Sequence, residues 1–262
     1  MPQRTIRVGH SADPDDAFMV WAFAAGAVDT RGLELEPVSS DIQTLNEWAL
    51  EGRLEVTALS AGAYPSAAEH YLLLPHGASF GDGYGPVVVA REEVDLGVVE
   101  IVTPGPLTTA KRVLELAVGR NVRTRDLPFD QVLAEVVEGR AAAGLLIHEG
   151  QLTYAEAGLV KLLDLGVWWQ QNVGLPLPLG LVGIRRDLER RDDVSAVLRE
   201  AIVAGLENRE AAMAYARGFG RGIDEETADR FVSMYVNDLT LDMGDRGRAA
   251  VAHLLGREPV YA

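Results

Sequence analysis

Short apolar runs alternate with longer amphipathic stretches along most of this chain. An apolar run bounded by glycine, proline or aspartate predicts a buried strand, whereas apolar positions about three to four residues apart predict a helix. In the first part of the chain, strands are predicted at residues 5–11, 33–38, 55–60, 71–74 and 86–91. Helices are predicted at residues 17–26, 42–50 and 64–69, and a glycine-rich loop at residues 77–85.

The second part of the chain continues the alternation and ends in helices. Strands are predicted at residues 122–126, 142–147 and 181–185, and a strand followed by a turn at residues 98–105. Residues 159–165 lead into the paired Trp168 and Trp169. Helices are predicted at residues 108–118, 129–138, 194–214, 225–237 and 247–255. Asp192 or Asp193 is the expected N-cap of the helix from residue 194, and Asp224 that of the next helix. Residues 174–180 (GLPLPLG) predict a connection or a sheet edge, because proline cannot donate to a central ladder.

This order of elements predicts an α/β protein with two lobes. Strands that alternate with helices indicate a largely parallel sheet in each lobe. Two apolar segments, residues 87–90 and 179–184, indicate a chain that leaves one lobe and later returns. We therefore expect a larger lobe of residues 1–91 plus 185–262, an inserted smaller lobe of residues 92–184, two crossover strands and a central cleft.

Composition narrows the function. The chain has 262 residues and no cysteine, which excludes disulfides, thiolate catalysis and thiolate metal sites. With 39 acidic and 24 basic residues the net charge is -15, which argues against nucleic acid and anionic membranes as partners. An anionic small molecule would need local donors such as helix N-termini. No apolar run is long enough to span a membrane, and residues 1–8 lead straight into a strand, so we expect a cytoplasmic protein.

The strand at residues 142–147 is followed at once by His148. Ligands of open α/β sheets bind just beyond the carboxyl ends of the strands, and histidine can change its protonation near neutral pH. His148 is therefore a candidate catalytic residue. The alternative is a histidine that caps the strand and bonds to a backbone carbonyl.

The loop between the first strand and the first helix is a second candidate. Ser11 and the backbone N–H groups at this helix N-terminus suit an anion or a hydroxyl, while His10 either lines the cleft or is a turn residue. Asp13, Asp15 and Asp16 are compatible with a metal site. Their spacing fits no EF-hand, and acidic residues are common in a first helical turn, so we expect no metal.

Hydroxyl side chains follow two other strands. Ser60 ends the third strand among small residues, and in the absence of a G-x-S-x-G elbow we interpret it as a hydrogen-bond donor. Thr108 and Thr109 open a helix beside the N–H groups of Thr109 and Ala110, an arrangement that either binds a carboxylate or only caps the helix. No Walker motif accompanies them. The paired Trp168 and Trp169 either face a planar ligand or fill the core.

Several segments, taken in order, resemble one family. They are GHSADPDDAF (9–18), DIQTLNEWAL (41–50), LSAGAY (59–64), PGPLTTA (104–110), GLLIHE (144–149), DLGVWW (164–169), GLPLPLG (174–180) and YVN (235–237). Together they resemble the 1,4-dihydroxy-6-naphthoate synthases of the futalosine route to menaquinone. The resemblance implies a periplasmic-binding-protein type II fold. It also implies a carbon–carbon lyase, with no metal or redox cofactor, that converts cyclic dehypoxanthine futalosine to 1,4-dihydroxy-6-naphthoate.

The resemblance also implies roles for individual residues. The family's proposed base falls on His148, and its polar substrate contacts fall on three side chains and two backbone amides: Asn46, Ser60, Thr109, and the N–H groups of Ala61 and Ala110. The first loop departs from the family, which often has Cys-Pro-Asn-Asp where this chain has Asp13-Pro-Asp-Asp16. The expected partner is an anionic small molecule, and both a monomer and a homodimer are compatible with the sequence. Two alternatives stay open, a chorismate dehydratase of the same pathway and a solute-binding protein without catalysis.

Overall fold

The polypeptide forms two β-sheets with helices around them, in a computed structural model that describes residues 5–220 and 222–262. Residues 1–4 lie outside the described residues. The expectation that residues 1–8 lead straight into a strand depends in part on them. Within the described ranges, no helix has the length and apolar character needed to cross a bilayer.

The first sheet has the strand order β2-β1-β3-β11-β4, and β5 also pairs with β11. Its strands are β1 (Ile6–Ser11), β2 (Leu35–Ser40), β3 (Val56–Ser60), β4 (Tyr71–Leu73), β5 (Ser79–Gly81) and β11 (Leu177–Arg185). Strand β1 runs parallel to β2 and β3, whereas β11 runs antiparallel to its neighbours β3, β4 and β5.

The second sheet has the order β10-β6-β9-β7-β8. Its strands are β6 (Val87–Ala90), β7 (Glu100–Thr103), β8 (Arg123–Asp126), β9 (Ala143–Leu146) and β10 (Val160–Asp164). Strand β7 is parallel to β8 and β9, and β6 is antiparallel to β9 and β10. Both sheets are therefore mixed rather than largely parallel. The two strands that carry the chain between the sheets, β6 and β11, run antiparallel to their neighbours.

Helices connect and cover the sheets. They are α1 (Pro14–Ala24), α2 (Ile42–Leu50), α3 (Tyr64–Ala67), α4 (Thr109–Val118), α5 (Phe129–Val137), α6 (Gly150–Thr153), α7 (Leu165–Val173), α8 (Arg191–Glu207), α9 (Arg209–Ala216), α10 (Glu225–Tyr235), α11 (Asp238–Leu241) and α12 (Gly244–Leu255), with a 3-10 turn at Arg217–Phe219. The predicted N-cap Asp224 is confirmed, since its side chain accepts the N–H of Thr227. Asp192 and Asp193 are not N-caps, because α8 starts earlier and both lie in its first turn.

Helix α1 is buried on nearly all sides, which explains its almost continuous apolar sequence. It packs against α8, α9 and α10 and contacts β1 and β2. Phe18 is fully buried in this core, where a side chain of its size contributes about 1.5–3 kcal/mol. A helix held so firmly gives its first residues a fixed position at the edge of the first sheet.

The structure differs from the sequence interpretation in further elements, including α6 and α11, which were not predicted. A short strand, β5, occupies part of the predicted loop at residues 77–85, and residues 165–173 form α7. The predicted helix at residues 194–214 is interrupted at Asn208. Residues 177–180 belong to β11 rather than to a connection. Pro178 is tolerated because pairing with β3 begins only at Gly180, which leaves one side of the strand free of a ladder there.

The two crossings at residues 87–90 and 179–184 are present as β6 and β11. The chain enters the second sheet at Val87 and is back in the first sheet by Leu177. The lobe boundaries at 91/92 and 184/185 remain a prediction. The chain passes from one sheet to the other a few residues before each of these boundaries. The first turn of α7 lies close to Tyr84, just before the first crossing. A Cβ added to Gly166 would lie 1.9 Å from the Tyr84 carbonyl oxygen, so only glycine fits at this position.

Candidate active site

A cavity opens where strands of both sheets end, and together with the space at its mouth that is open to solvent it measures about 670 Å³. The carboxyl ends of β1 and β3, the segment after β9 and the first residues of β11 all reach it. Its polar and charged lining comprises Ser11, Asp13, Asp15, Asp16, Ser60, Ser79, Thr108, Thr109, His148, Gln151 and Tyr235. Apolar or small residues complete the wall: Ile42, Ala58, Gly77, Ala110, Ile147, Leu179, Gly180, Leu181 and Phe231.

His148 lies two residues beyond β9, with a φ of +52°. A non-glycine residue in this left-handed region is uncommon and is often found at functional sites. Its ring meets the edge of Phe129 at a centroid distance of 4.9 Å. Its Nδ1 lies 2.6 Å from Oδ2 of Asp13, a carboxylate on the other sheet's side of the cavity. The two sheets thus contribute one partner each to a histidine–carboxylate pair.

Asp13 is held in place by its position at the start of α1. It is the N-cap, and its Oδ1 accepts the N–H of Asp16 at 3.4 Å. Burial alone would raise the pKa of Asp13, but the positive charge of a protonated His148, together with hydrogen bonds from His148, Asp15 and Ser11, holds that pKa well below its ordinary value. Asp13 is therefore an ionised partner that can stabilise an imidazolium at His148.

Two further carboxyl groups stand beside this pair. Burial raises the pKa of Asp16 to about 7, and the charge of Asp13 adds to the effect, while Oδ2 of Asp16 accepts the N–H of Ser11 at 2.7 Å. Burial also raises the pKa of Asp15 well above its ordinary value, with further contributions from Asp13 and Asp16. The loop therefore carries less negative charge at neutral pH than its sequence indicates.

One group of side chains in the described part of the chain is suited to a metal ion. It consists of Asp13, Asp15 and Asp16, each of which has a carboxylate oxygen within 4.8 Å of those of the other two. Most of these oxygens already have protein partners. Asp13 is paired with His148, and Asp16 accepts a backbone N–H. The arrangement is thus organised around protons and N–H donors, and it leaves a single buried oxygen, Oδ1 of Asp15, without a hydrogen bond.

Ser60 is oriented by Asn46 from behind the cavity wall. The Asn46 side-chain N–H donates to Oγ of Ser60 at 2.9 Å, and its carbonyl accepts the N–H of Ser60 at 2.7 Å. Because Oγ already accepts a hydrogen bond, the hydroxyl proton of Ser60 can be donated into the cavity. Asn46 is itself fully buried and does not line the cavity. The N–H of Ala61 is already donated to the carbonyl of Leu179, at 2.9 Å.

The start of α4 lines the cavity next to the segment that follows Ser60. Thr108 is the N-cap: its hydroxyl oxygen accepts the N–H of Lys111 and its proton goes to the carbonyl of Gly105. The hydroxyl of Thr109 donates to the Leu179 carbonyl at 2.8 Å and accepts the Gly62 N–H at 3.0 Å. The N–H groups of the first helical turn have no partner within a helix. At this wall the backbone amides of Thr109 and Ala110, rather than the threonine hydroxyls, are the donors suited to an anion.

Two residues that the sequence did not single out close the far side. Tyr235 of α10 donates its hydroxyl to Oε1 of Gln151 in α6, at 2.7 Å. This bond, like the pair of Asp13 and His148, joins the side of the first sheet to the segment that follows β9. His10 points elsewhere, with Nδ1 2.9 Å from the Ser11 carbonyl and its ring against Phe219.

The structure brings most of the sequence candidates to one cavity. Ser11, Ser60, Thr108, Thr109, Ala110 and His148 line it, whereas Asn46 and Ala61 do not. Trp168 and Trp169 are not in its lining, and Trp169 is buried against His253. The pairing of Asp13 with His148 was missed, and so were Ser79, Gln151 and Tyr235. For Asp13 the available signal was an aspartate immediately before the proline that opens a helix after a strand.

Comparison with known proteins identifies relatives over the whole chain. A family described as menaquinone biosynthesis matches residues 6–258. The 1,4-dihydroxy-6-naphthoate synthase of Thermus thermophilus is 39% identical over 95% of this chain and 92% of its own length. The enzyme of the same name from Streptomyces coelicolor is 32% identical over 98% of this chain and 94% of its own length.

Solved structures agree with the architecture. A protein from Archaeoglobus fulgidus is 47% identical, with a TM-score of 0.92 over 96% of both chains. The alkanesulfonate-binding protein of Xanthomonas axonopodis pv. citri, bound to MOPS, has a TM-score of 0.67 at 11% identity over 90% of this chain and 86% of its own. At that identity the likeness shows the fold alone, and it confirms the periplasmic-binding-protein-like fold expected from the sequence. The family match and the two synthases together show that the chain belongs to the 1,4-dihydroxy-6-naphthoate synthase family of menaquinone biosynthesis enzymes.

Proposed function

We propose that the protein is a carbon–carbon lyase that converts cyclic dehypoxanthine futalosine to 1,4-dihydroxy-6-naphthoate, with His148 as the general base. The pair of His148 and Asp13 inside the cavity is the observation that carries this proposal. The relatives named as synthases support the choice of substrate.

The cavity has donors suited to the groups of this substrate, which has a carboxylate, a bicyclic ketone and sugar hydroxyls. The amides of Thr109 and Ala110 at the start of α4 offer a site for the carboxylate. The Ser60 hydroxyl, oriented by Asn46, can donate to an oxygen that becomes negative during the reaction. These local donors compensate for a net charge of -15, which would otherwise repel an anionic substrate.

The proposed reaction begins with proton transfer to His148. The protonated Nδ1 donates a hydrogen bond to Asp13, which leaves Nε2 of the neutral ring as the basic nitrogen. Nε2 takes a proton from a sugar hydroxyl. As that oxygen becomes a carbonyl, the bond between the sugar carbon and the ring carbon breaks, and its electron pair forms an enolate on the bicycle. Asp13 stabilises the imidazolium, and Ser60 donates to the enolate oxygen. The imidazolium returns its proton as the bicycle becomes the aromatic diol.

The test is a comparison of substrates with the purified protein. Incubation with cyclic dehypoxanthine futalosine should release 1,4-dihydroxy-6-naphthoate, measured by chromatography and mass spectrometry. Chorismate is the parallel arm, and loss of water from it would identify the other lyase of the pathway. Binding of the nucleoside without product from either compound would indicate a solute-binding protein. Either of these last two results overturns the proposal.

A further inference from the structure

Asp15 is buried in the cavity wall, and the proposed reaction does not use it. Its side chain is part of the lining, yet the residue is only 5% exposed. Its Oδ2 accepts the hydroxyl of Ser79 at 3.3 Å. Its Oδ1 is buried, and no N–H or O–H group among residues 5–220 and 222–262 donates a hydrogen bond to it. A buried carboxylate oxygen without a donor is costly, whereas a protonated one is itself a donor.

The neighbours of Asp15 disfavour a second negative charge. Asp13 and Asp16 lie on the same turn, with ligand atoms of all three residues within 4.8 Å of one another. The group that faces this turn from the second sheet and can carry a positive charge is His148, whose Nδ1 is hydrogen-bonded to Asp13. Among the titratable groups of the packed helix α10, Tyr235 lines the cavity. A tyrosine is neutral at physiological pH, and burial raises the pKa of Tyr235 further. Burial likewise raises the pKa of Asp15.

We propose that Asp15 is a neutral carboxylic acid in the cleft wall and that it donates a hydrogen bond to an oxygen atom of the anionic substrate. Before a ligand binds, the same proton can be shared with the neighbouring Asp13. The acidic turn can therefore bind an anion, because the protonated carboxyl of Asp15 donates a hydrogen bond to it. The identity of the substrate rests on the proposed function, but the protonation of Asp15 does not.

The protonation is tested without substrate, by carbon NMR of protein labelled at the aspartate carboxyl carbons. Asp15→Asn identifies the Asp15 signal, and Asp16→Asn identifies that of Asp16. We expect the Asp15 carboxyl to titrate at a higher pH than every exposed aspartate, because burial raises its pKa. A signal that is lost in Asp15→Asn and titrates below about pH 5, near the ordinary aspartate value, overturns the proposal.

The donor role is tested by calorimetric binding of 2-naphthoate, a bicyclic carboxylate. Affinity of the unmodified protein should fall as the pH passes the titration of the Asp15 signal, because the donor becomes an anion. Asp15→Asn retains an N–H donor and should lack this decrease, whereas Asp15→Ala should bind about tenfold more weakly at pH 6. An identical decrease in Asp15→Asn refutes the donor role. This binding pattern in a protein that forms no naphthoate from the nucleoside would refute only the proposed function.

Discussion

Replacing Asp13 by Asn removes one charge from the pair with His148 and little else. Asn has nearly the same shape and is an equally good N-cap, so the start of α1 should persist. At the observed separation of 2.6 Å and an effective dielectric of 20, the attraction of the pair is about 6 kcal/mol. Desolvation offsets part of this attraction. We expect Asp13→Asn to lower kcat by about 10²–10⁴-fold, the usual contribution of a general base and equivalent to about 3–5 kcal/mol.

The same substitution should also destabilise the fold. The folded-state pKa of Asp13 lies below its ordinary value, so its ionised form stabilises the fold above about pH 4, and this contribution is lost as the pH falls through the folded pKa. Breaking a buried pair costs about 3–5 kcal/mol, which urea unfolding at pH 7 would measure as a lower free energy of unfolding.

The assay for Asp13→Asn is steady-state formation of naphthoate from the nucleoside, with substrate affinity measured in parallel. The matched control is Asp224→Asn, which changes an exposed N-cap of α10 that does not line the cavity. The control should keep its kcat. Unchanged kcat in a folded Asp13→Asn protein would refute the role assigned to the pair.

Three other substitutions test separate parts of the account. His76→Asn should flatten the pH dependence of stability between pH 6.5 and 4, because burial lowers the pKa of His76 to about 4 and the neutral ring stabilises the fold only above that window. Urea unfolding across this range should show a loss of about 3 kcal/mol in the unmodified protein that is absent from the variant. Tyr235→Phe leaves the buried Gln151 acceptor unpaired and should lower the free energy of unfolding by about 1–3 kcal/mol, and equal stability would contradict the bond. Asn46→Ala releases Ser60 and should raise KM or lower kcat of the nucleoside reaction by at least about tenfold, whereas unchanged kinetics would remove Ser60 from the site.

Local pattern was sufficient for most elements. The strand that ends before His148 and the helix opened by Thr108 follow from apolar periodicity and capping chemistry, and both are present. Pattern failed where tertiary context decides. Pro178 is part of a strand only because β3 does not pair with that end of β11, and a residue with a side chain would not fit at Gly166 because of the nearby Tyr84 carbonyl. Neither condition is a local property of the sequence.

The same limit applies to the site. Strand ends predicted that His148, Ser60 and Thr109 lie near one cleft, since residues after parallel strands meet at one edge. The contact of Asp13 with His148 joins residues far apart in the chain and on different sheets, so no spacing rule indicates it. From the sequence alone, the aspartates of the first turn of α1 are typical of any helix N-terminus. Burial and proximity to one another, which only the fold supplies, change their protonation.

Turnover of cyclic dehypoxanthine futalosine by His148→Asn, compared with the unmodified protein, tests the central claim most directly. The variant keeps a polar side chain of similar size but has no basic nitrogen. The account predicts naphthoate from the unmodified protein, and a variant that still binds the nucleoside but forms product about 10²–10⁴-fold more slowly. No naphthoate from the unmodified protein, or full turnover by a folded His148→Asn, would contradict it.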